Sequence, residues 1–364
     1  MADPLLFQPF TLRGVTMRNR LWVAPMCQYS AASEGDDIGA ANDWHLLHLG
    51  TLARGGAGLV MVEATAVVPE GRISPNDLGL WNDAQQQALD RVVTLAHAHG
   101  SKIGIQLAHA GRKASTYPWR PGAPEGSVPI AEGGWPTVAP SAAAFEGLAV
   151  PRALTADEVR NVIDAFVAAA NRVVTAGFDV VEIHAAHGYL LHEFLSPLSN
   201  FRDDEFGGSP EARALPLREI VRSIRAEHPA LPIIVRVSGD EWVEGGFDVE
   251  AAAQLVGWLA ADGADMIDAS SAGNTAHANI AVGPSYQVWI AERLRQAGLP
   301  VGAVGLITSS AQAEGILATG QADVISLGRP LLANPHLPIT WASELRAPSA
   351  SALTPPQYFR ARFA

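Results

Sequence analysis

Short apolar runs of β character recur eight times along this chain of 364 residues, and helical patterns follow most of them. Repeated strand–helix alternation is typical of parallel sheets, because a helix returns the chain to the start of the next strand. The runs are Leu21–Pro25, Gly58–Val67, Lys102–Leu107, Asp179–Ala185, Ile233–Val237, Met266–Ala269, Val301–Val304 and Asp323–Leu327. Eight units predict an α/β fold, a single (β/α)8 TIM barrel. A doubly wound sheet is the alternative, but no G-x-G-x-x-G turn follows the first strand.

The segments outside the repeats are consistent with one domain spanning 1–364. A short hairpin, Phe10–Leu12 with Val15–Met17, is predicted before the first strand. The capping box Thr155-Ala-Asp-Glu158 marks the start of a helix. The Pro- and Gly-rich stretch Pro118–Pro151 follows the third strand, on the face where barrels build active sites. It predicts an extended loop that forms a lid or wall rather than a domain boundary.

Composition limits the classes of partner. The formal net charge of −12 argues against nucleic acid or an anionic membrane as the main partner. Cys27 is the single cysteine, so an intrachain disulfide and multi-cysteine metal sites are excluded. The N-terminus lacks a secretory pattern, and no apolar run could span a bilayer. A soluble cytoplasmic protein is therefore expected.

The stretch from Glu182 to Arg213 carries the most chemistry. Its β-like start brings His184, His187 and Tyr189 almost together at a strand end. Two imidazoles and a phenol can donate hydrogen bonds to an oxygen that gains charge, and can supply a proton beside it. A metal pair or a packed polar cluster is the alternative for the histidines, although a metal needs further ligands.

Glycines end the last two predicted strands, in Ala303-Val304-Gly305 and in Ser326-Leu327-Gly328-Arg329. Barrels often bind phosphate at the loops after strands seven and eight, where small residues leave backbone N–H groups accessible. One such glycine would indicate an ordinary turn. Two glycines together with the cation of Arg329 favour a phosphate site.

The stretch from His184 to the helix start Gly207-Gly-Ser-Pro210 resembles the signature of the Old Yellow Enzyme family of flavin ene-reductases. The likeness extends from Leu6 to about Arg360. Three further runs are similar to the thermophilic-like branch of that family: Ala24-Pro-Met-Cys-Gln-Tyr29, Asn42-Asp-Trp-His45 and His109-Ala-Gly-Arg-Lys113. The resemblance implies a barrel that binds FMN non-covalently and takes hydride from NADPH or NADH. Val304 departs from relatives that place a tryptophan beside the substrate.

Arg236 and Gln106 each interrupt an apolar strand, and each has two explanations. Arg236 could form a buried ion pair with Glu182 or Asp268, since an unpaired charge there is costly. The resemblance instead places it beside the flavin edge that gains negative charge on reduction. Gln106 could make an ordinary core hydrogen bond, or its amide could pair with the flavin pyrimidine ring.

The resemblance also implies how the remaining residues act. The implied cofactor-binding residues are Pro25, Met26, Cys27, Ala64, Gln106, Arg236, Ala303, Gly305, Gly328 and Arg329. His184 and His187 would bind the carbonyl or nitro oxygen of an unsaturated ketone, aldehyde, imide or nitroalkene. Hydride from FMN would reach the β carbon and Tyr189 would protonate the α carbon. Cys27 would tune the flavin potential, and Tyr29 would lie over the substrate.

Two other functions are compatible with parts of this pattern. A metal-dependent barrel hydrolase would use His184 and His187 as ligands, and it would be colourless and sensitive to chelators. A non-catalytic FMN-binding protein would be yellow, and NADPH would not bleach it. No metal is expected under the ene-reductase interpretation.

The C-terminal tail, residues 354–364, contains Pro355 and Pro356, which prevent the last helix from continuing. By composition alone it would be a frayed terminus. However, the run from Gln357 to Arg360 resembles a tail in which an arginine reaches the neighbouring protomer's active site. The resemblance therefore implies a homodimer or homotetramer with a shared site, with Arg360 at the partner's substrate pocket and Tyr358 at the interface.

Overall fold

The computed structural model describes residues 2–361, in which eight parallel strands form a closed barrel. The strands are β1 (Leu21–Val23), β2 (Leu59–Ala66), β3 (Lys102–Ala108), β4 (Val180–Ala185), β5 (Ile233–Ser238), β6 (Met266–Ser270), β7 (Val301–Ala303) and β8 (Val324–Leu327). They neighbour one another in chain order, and β1 pairs with both β2 and β8. The predicted barrel is confirmed, and the doubly wound alternative is wrong.

The barrel interior is apolar at the N-terminal end of the strands and polar at the other end. Alternate residues of a strand share one face, so Val180, Glu182 and His184 follow one another inside the barrel. The apolar cluster at the N-terminal end of the barrel consists of Leu12, Met17, Trp22, Leu59, Met61, Val180, Ile234, Met266 and Val324. Leu12 and Met17 belong to the predicted hairpin, which is present and antiparallel. Functional side chains therefore gather at the C-terminal end.

Helices follow the strands and cover the barrel. They are α1 (Asp43–Arg54), α2 (Asp83–Ala98), α3 (Ala156–Thr175), α4 (Leu190–Leu195), α5 (Pro210–Arg213), α6 (Leu215–Glu227), α7 (Val249–Asp262), α8 (Val288–Arg295), α9 (Ser310–Ala318), α10 (Arg329–Ala333), α11 (Leu337–Glu344) and α12 (Ala350–Leu353). From residue 2 to residue 361, no helix combines the length and apolarity needed to cross a membrane.

The long loop after β3 is largely irregular, as predicted for Pro118–Pro151. Its regular parts are a 3-10 turn, Ile130–Glu132, and a short parallel pairing of Val138–Ala139 with Arg152–Ala153. The ring of Phe145 lies 4.8 Å from Lys113 Nζ at the C-terminal end of the barrel. The loop therefore forms a wall beside that end.

The capping box at the start of α3 gives a stability prediction. Thr155 Oγ1 accepts from Glu158 N, and the Glu158 carboxylate accepts from Thr155 N. Thr155→Ala should destabilise the protein by about 1 kcal/mol, because the first turn loses a side-chain acceptor. Asn161→Ala, at an exposed position within the same helix, should not destabilise it. Thermal unfolding of both variants tests this, and equal midpoints would contradict it.

Candidate active site

A cavity of about 610 Å³ opens at the C-terminal end of the barrel. Predicted cofactor residues that line it are Pro25, Met26, Arg236, Gly305, Gly328 and Arg329. Ala303 lies at the end of β7, fully buried and paired with Ala269 and Ile325. Cys27, Tyr29 and Tyr189 pack against a small apolar cluster that contains Ala64. The structure thus groups these residues around one end of the barrel.

Gly305 and Gly328 expose the backbone at the ends of β7 and β8. Gly305 has a φ of +111°, which L side chains rarely adopt, and a Cβ there would lie 3.0 Å from Gln287 Nε2. A Cβ on Gly328 would lie 3.3 Å from Met26 Sδ. Arg329 follows directly and lines the same cavity. Accessible backbone beside a cation suits a phosphate group.

A buried polar layer of Arg236, Asp268, Glu182 and Gln106 lies above the apolar cluster. Arg236 Nε is 3.2 Å from Asp268 Oδ2, without the alignment of a hydrogen bond. Gln106 Nε2 donates to Glu182 Oε1 at 2.6 Å. Burial and the charge of Asp268 raise the pKa of Glu182 to about 8. Both local contacts considered from the sequence are therefore present, and Arg236 also lines the cavity.

These features fit the FMN that the sequence resemblance implies. In one part of the cavity wall, Arg236 presents a buried cation whose Nε–H lacks a hydrogen-bond partner within residues 2–361. In another part, Gly305, Gly328 and Arg329 form a cradle suited to a phosphate. A flavin mononucleotide needs both, since its ring gains negative charge on reduction and its phosphate is anionic.

His184, His187 and Tyr189 meet at the end of β4, as predicted. The His184 ring centroid lies 5.1 Å from that of His187 and 5.0 Å from that of Tyr189, both edge-on. His184 Nδ1 accepts from Ala186 N at 3.3 Å, which assigns the proton to Nε2. His187 Nε2 lies 2.7 Å from Ser270 Oγ. The three side chains therefore converge on one region.

Electrostatics keep these groups neutral. Burial, followed by the positive charge of Arg236, holds the pKa of His184 and of His187 well below its usual value. Burial raises the pKa of the Tyr189 phenol and of the Cys27 thiol well above their usual values. Each group therefore carries a proton at pH 7 without bearing charge. Among residues 2–361, no three or more His, Cys, Asp or Glu side chains are arranged to hold a metal.

Sequence reasoning gave no role to Lys113 or Ser270. Lys113 Nζ donates to the His187 carbonyl at 2.8 Å and lies 5.2 Å from the Tyr189 ring centroid. Ser270 contacts the His187 ring and stands two residues after Asp268 on β6. The two-residue period of a strand could have predicted Ser270. No periodic signal marks Lys113, which lies in a 3-10 turn.

The tail residues lie at the surface of their own chain. Arg360 is exposed and stacks over the Phe359 ring at 5.1 Å. Tyr358 packs against Arg54, at 5.4 Å, and against the ring of His336, at 5.7 Å. The tail beyond Ala361 lies outside the described residues.

Comparison with known proteins gives the family. Residues 5–347 match the NADH:flavin oxidoreductase / NADH oxidase family. The chain is 46% identical over 358 residues to an NADPH dehydrogenase of Bacillus cytotoxicus, which covers 98% of this chain and 96% of that protein. The Old Yellow Enzyme homologue from Zymomonas mobilis matches with a TM-score of 0.78 at 28% identity, over 94% and 93% of the two chains. Morphinone reductase in complex with tetrahydroNAD matches with 0.76 at 28%, over 96% and 94%. The chain therefore belongs to the NADH:flavin oxidoreductase / NADH oxidase family and is an FMN-dependent oxidoreductase.

Proposed function

We propose that this flavin oxidoreductase reduces activated C=C bonds with hydride from NADPH or NADH. The observation that carries the proposal is the meeting of His184, His187 and Tyr189, all neutral and protonated, at the end of the barrel that holds the cavity. Unsaturated ketones, aldehydes, maleimides and nitroalkenes present an oxygen that gains negative charge when the alkene accepts hydride. The NADPH dehydrogenase relative and the tetrahydroNAD bound to morphinone reductase support a nicotinamide as donor.

The cofactor would be held by the residues around the cavity. The hydride chemistry would be that of FMN, which a nicotinamide would reduce and from which the β carbon of the alkene would receive hydride. Gly305, Gly328 and Arg329 would hold its phosphate, and Arg236 would balance the charge that reduction adds to its ring. The remaining proposed contacts are Pro25, Met26, Cys27, Ala64, Gln106 and Ala303.

His184 and His187 would donate N–H groups to the substrate oxygen. His184 offers its Nε2–H, because its Nδ1 is occupied by Ala186 N. His187 Nε2 lies 2.7 Å from Ser270 Oγ, and in the tautomer in which Nε2 accepts from this hydroxyl the Nδ1–H is left for the substrate. Because both rings are neutral, neither can transfer its proton readily to the developing oxyanion. A donor fixed in this way contributes on the order of 3 kcal/mol to the transition state.

Tyr189 would protonate the α carbon. Its raised pKa keeps the phenol protonated, and its ring is held between His184 and the ammonium group of Lys113. Cys27 would act as a neutral thiol that adjusts the flavin potential. Tyr29 would cover the substrate.

We also propose that residues 1–364 form one FMN-binding domain whose tail, 354–364, completes the site of a second copy in a homodimer or homotetramer. Arg360 is exposed and free to reach another protomer. An apolar surface groove between α1 and α10 contains large side chains that are 50%, 69% and 49% exposed: Trp44, Leu47 and Leu332. Tyr358 packs on Arg54 at the end of α1, so the tail runs beside this face.

The purified protein should be yellow, release one FMN per chain and bleach with NADPH under anaerobic conditions. Arg329→Gln should weaken FMN binding about tenfold, because the phosphate loses a charged donor. Arg91→Gln, which changes an exposed arginine, should leave it unchanged. Absorbance spectra and equilibrium dialysis measure both. A protein that FMN cannot reconstitute would contradict the site, and a yellow protein that NADPH leaves coloured would favour the non-catalytic alternative.

Tyr189→Phe should slow alkene reduction at least a hundredfold while flavin reduction by NADPH continues, because only the second half-reaction needs the proton. His184→Ala should also weaken binding of a phenol, since it removes a donor to the ligand oxygen. Stopped-flow measurement of the two half-reactions separates these effects. Equal losses of Tyr189→Phe in both half-reactions would indicate a structural role for Tyr189.

Deletion of residues 355–364 should reduce the oligomer mass and raise KM, whereas Arg360→Ala should raise KM alone. Light scattering and steady-state kinetics measure both. Mixed oligomers of Arg360→Ala and Tyr189→Phe protomers should regain activity. In them, the site of an Arg360→Ala protomer keeps its own Tyr189 and receives an intact Arg360 from the Tyr189→Phe protomer. A truncated protein with unchanged mass and kinetics, or mixed oligomers without recovery, would rule out the shared site.

A further inference from the structure

Two features of the chain have no part in the function proposed above: the Asn42–His45 run and the carboxylate of Glu63. Glu63 is only 4% exposed and lies in β2, where the pairing with β3 shifts register between Val62 and Ala64. A buried carboxylate is costly unless its oxygens have partners. The groups that contact the two oxygens of Glu63 therefore indicate the role of this carboxylate.

Glu63 joins β2 to the segment after β1 and to the start of α1. Its Oε2 accepts from Gln28 N at 2.8 Å. Its Oε1 lies 3.5 Å from Nε2 of His45, a fully buried histidine, without the alignment of a hydrogen bond. His45 Nδ1 accepts from Asn42 N at 3.1 Å and closes the capping box of α1. That bond leaves the proton on Nε2, facing the carboxylate.

The segment that these residues hold contains a strained tyrosine. Tyr29 has a φ of +52°, a left-handed conformation that is unfavourable for a bulky side chain. Such conformations persist only where the surroundings enforce them. Gln28, on one side, is bound to Glu63, and on the other side the carbonyl of Ser30 accepts from Asn42 Nδ2 at 2.7 Å. Tyr29 is thus fixed from both sides by one connected set of side chains.

We propose that Glu63 and His45 are positioning residues that hold Tyr29, and Cys27 beside it, in their functional places. This inference rests on the proposed function in assigning Tyr29 to the substrate. The carboxylate accepts from the peptide N–H of Gln28, the Nε2 side of the histidine contacts the carboxylate electrostatically, and the capping box fixes the histidine. The start of α1 and the irregular pairing of β2 thereby determine the geometry of the segment after β1 that contains Cys27 and Tyr29.

Glu63→Leu and Glu63→Gln in the FMN-bound enzyme separate the hydrogen bond from the charge. Glu63→Leu should raise KM for 2-cyclohexenone roughly tenfold, the effect of losing a hydrogen bond to a charged acceptor. Glu63→Gln keeps an oxygen for Gln28 N and should stay within about threefold. His45→Gln can still complete the capping box and should resemble wild type, whereas His45→Leu should resemble Glu63→Leu.

A double-mutant cycle with Tyr29→Ala decides whether Glu63 acts through Tyr29. In the Tyr29→Ala background, Glu63→Leu should change KM by less than about twofold, because the positioned side chain is absent. A full tenfold effect there would overturn the proposal. If Glu63→Leu does not fold, the cycle is run with His45→Leu, for which the same outcomes apply.

A second readout is independent of alkene reduction. Cys27 is the only cysteine, so alkylation by iodoacetamide reports on this segment alone. Glu63→Leu should speed labelling several-fold, because the segment is released and a negative charge near the thiol is removed, while Glu63→Gln should speed it less. Absence of enone turnover in the wild type would defeat the proposed function but not this inference. Unchanged labelling in Glu63→Leu would defeat the inference.

Discussion

The position of Arg236 inside the barrel is the constraint on which the candidate site depends. In the strand register, Arg236 of β5 pairs with His184 of β4 on one side and with Asp268 of β6 on the other. Arginine is a cationic residue, and this register places the positive charge of Arg236 beside His184 on β4. This charge adds to burial in holding His184 and His187 neutral. Two neutral donors beside a permanent cation suit a reaction in which an oxygen and a flavin ring both gain negative charge.

The carboxyls around Arg236 limit how far its charge is cancelled. Burial and the charge of Asp268 raise the pKa of Glu182, so this carboxyl, which accepts from Gln106, has a weaker tendency to carry negative charge than an exposed glutamate. Burial also raises the pKa of Asp268, against the opposing effect of Arg236, and the contact of Asp268 with Arg236 lacks hydrogen-bond alignment. The arginine therefore retains electrostatic influence toward the cavity. If Glu182 and Asp268 were both fully ionised, their negative charges would cancel much of the positive charge of Arg236.

The parts of this arrangement that follow the strand period could be predicted from the sequence. The eight strands follow the apolar runs, the convergence of His184 with Tyr189 follows from their closeness in sequence at the end of β4, and the ion pair of Arg236 with Asp268 lies between neighbouring strands. Contacts between loops from different strands could not be predicted, because their geometry depends on packing. The partner of Gln106 could not be predicted either, because its contact with Glu182 depends on the register in which β3 and β4 pair. The role proposed for Arg360 depends on a second copy of the chain.

Backbone strain is concentrated where the site lies. Non-glycine residues with left-handed φ lie in the loops that follow six of the strands: Tyr29, Ser115, His187, Trp242, Ala272 and Leu306. His187, at +60°, is held by a hydrogen bond from its N–H to Ser238 Oγ and by Lys113 at its carbonyl. The loop after β6 approaches so closely that a Cβ on Gly273 would lie 2.5 Å from His187 Cα. Strain of this kind persists only on a rigid support. The closed barrel provides that support, so the side chains that anchor these loops matter as much to the geometry of the site as those that face the cavity.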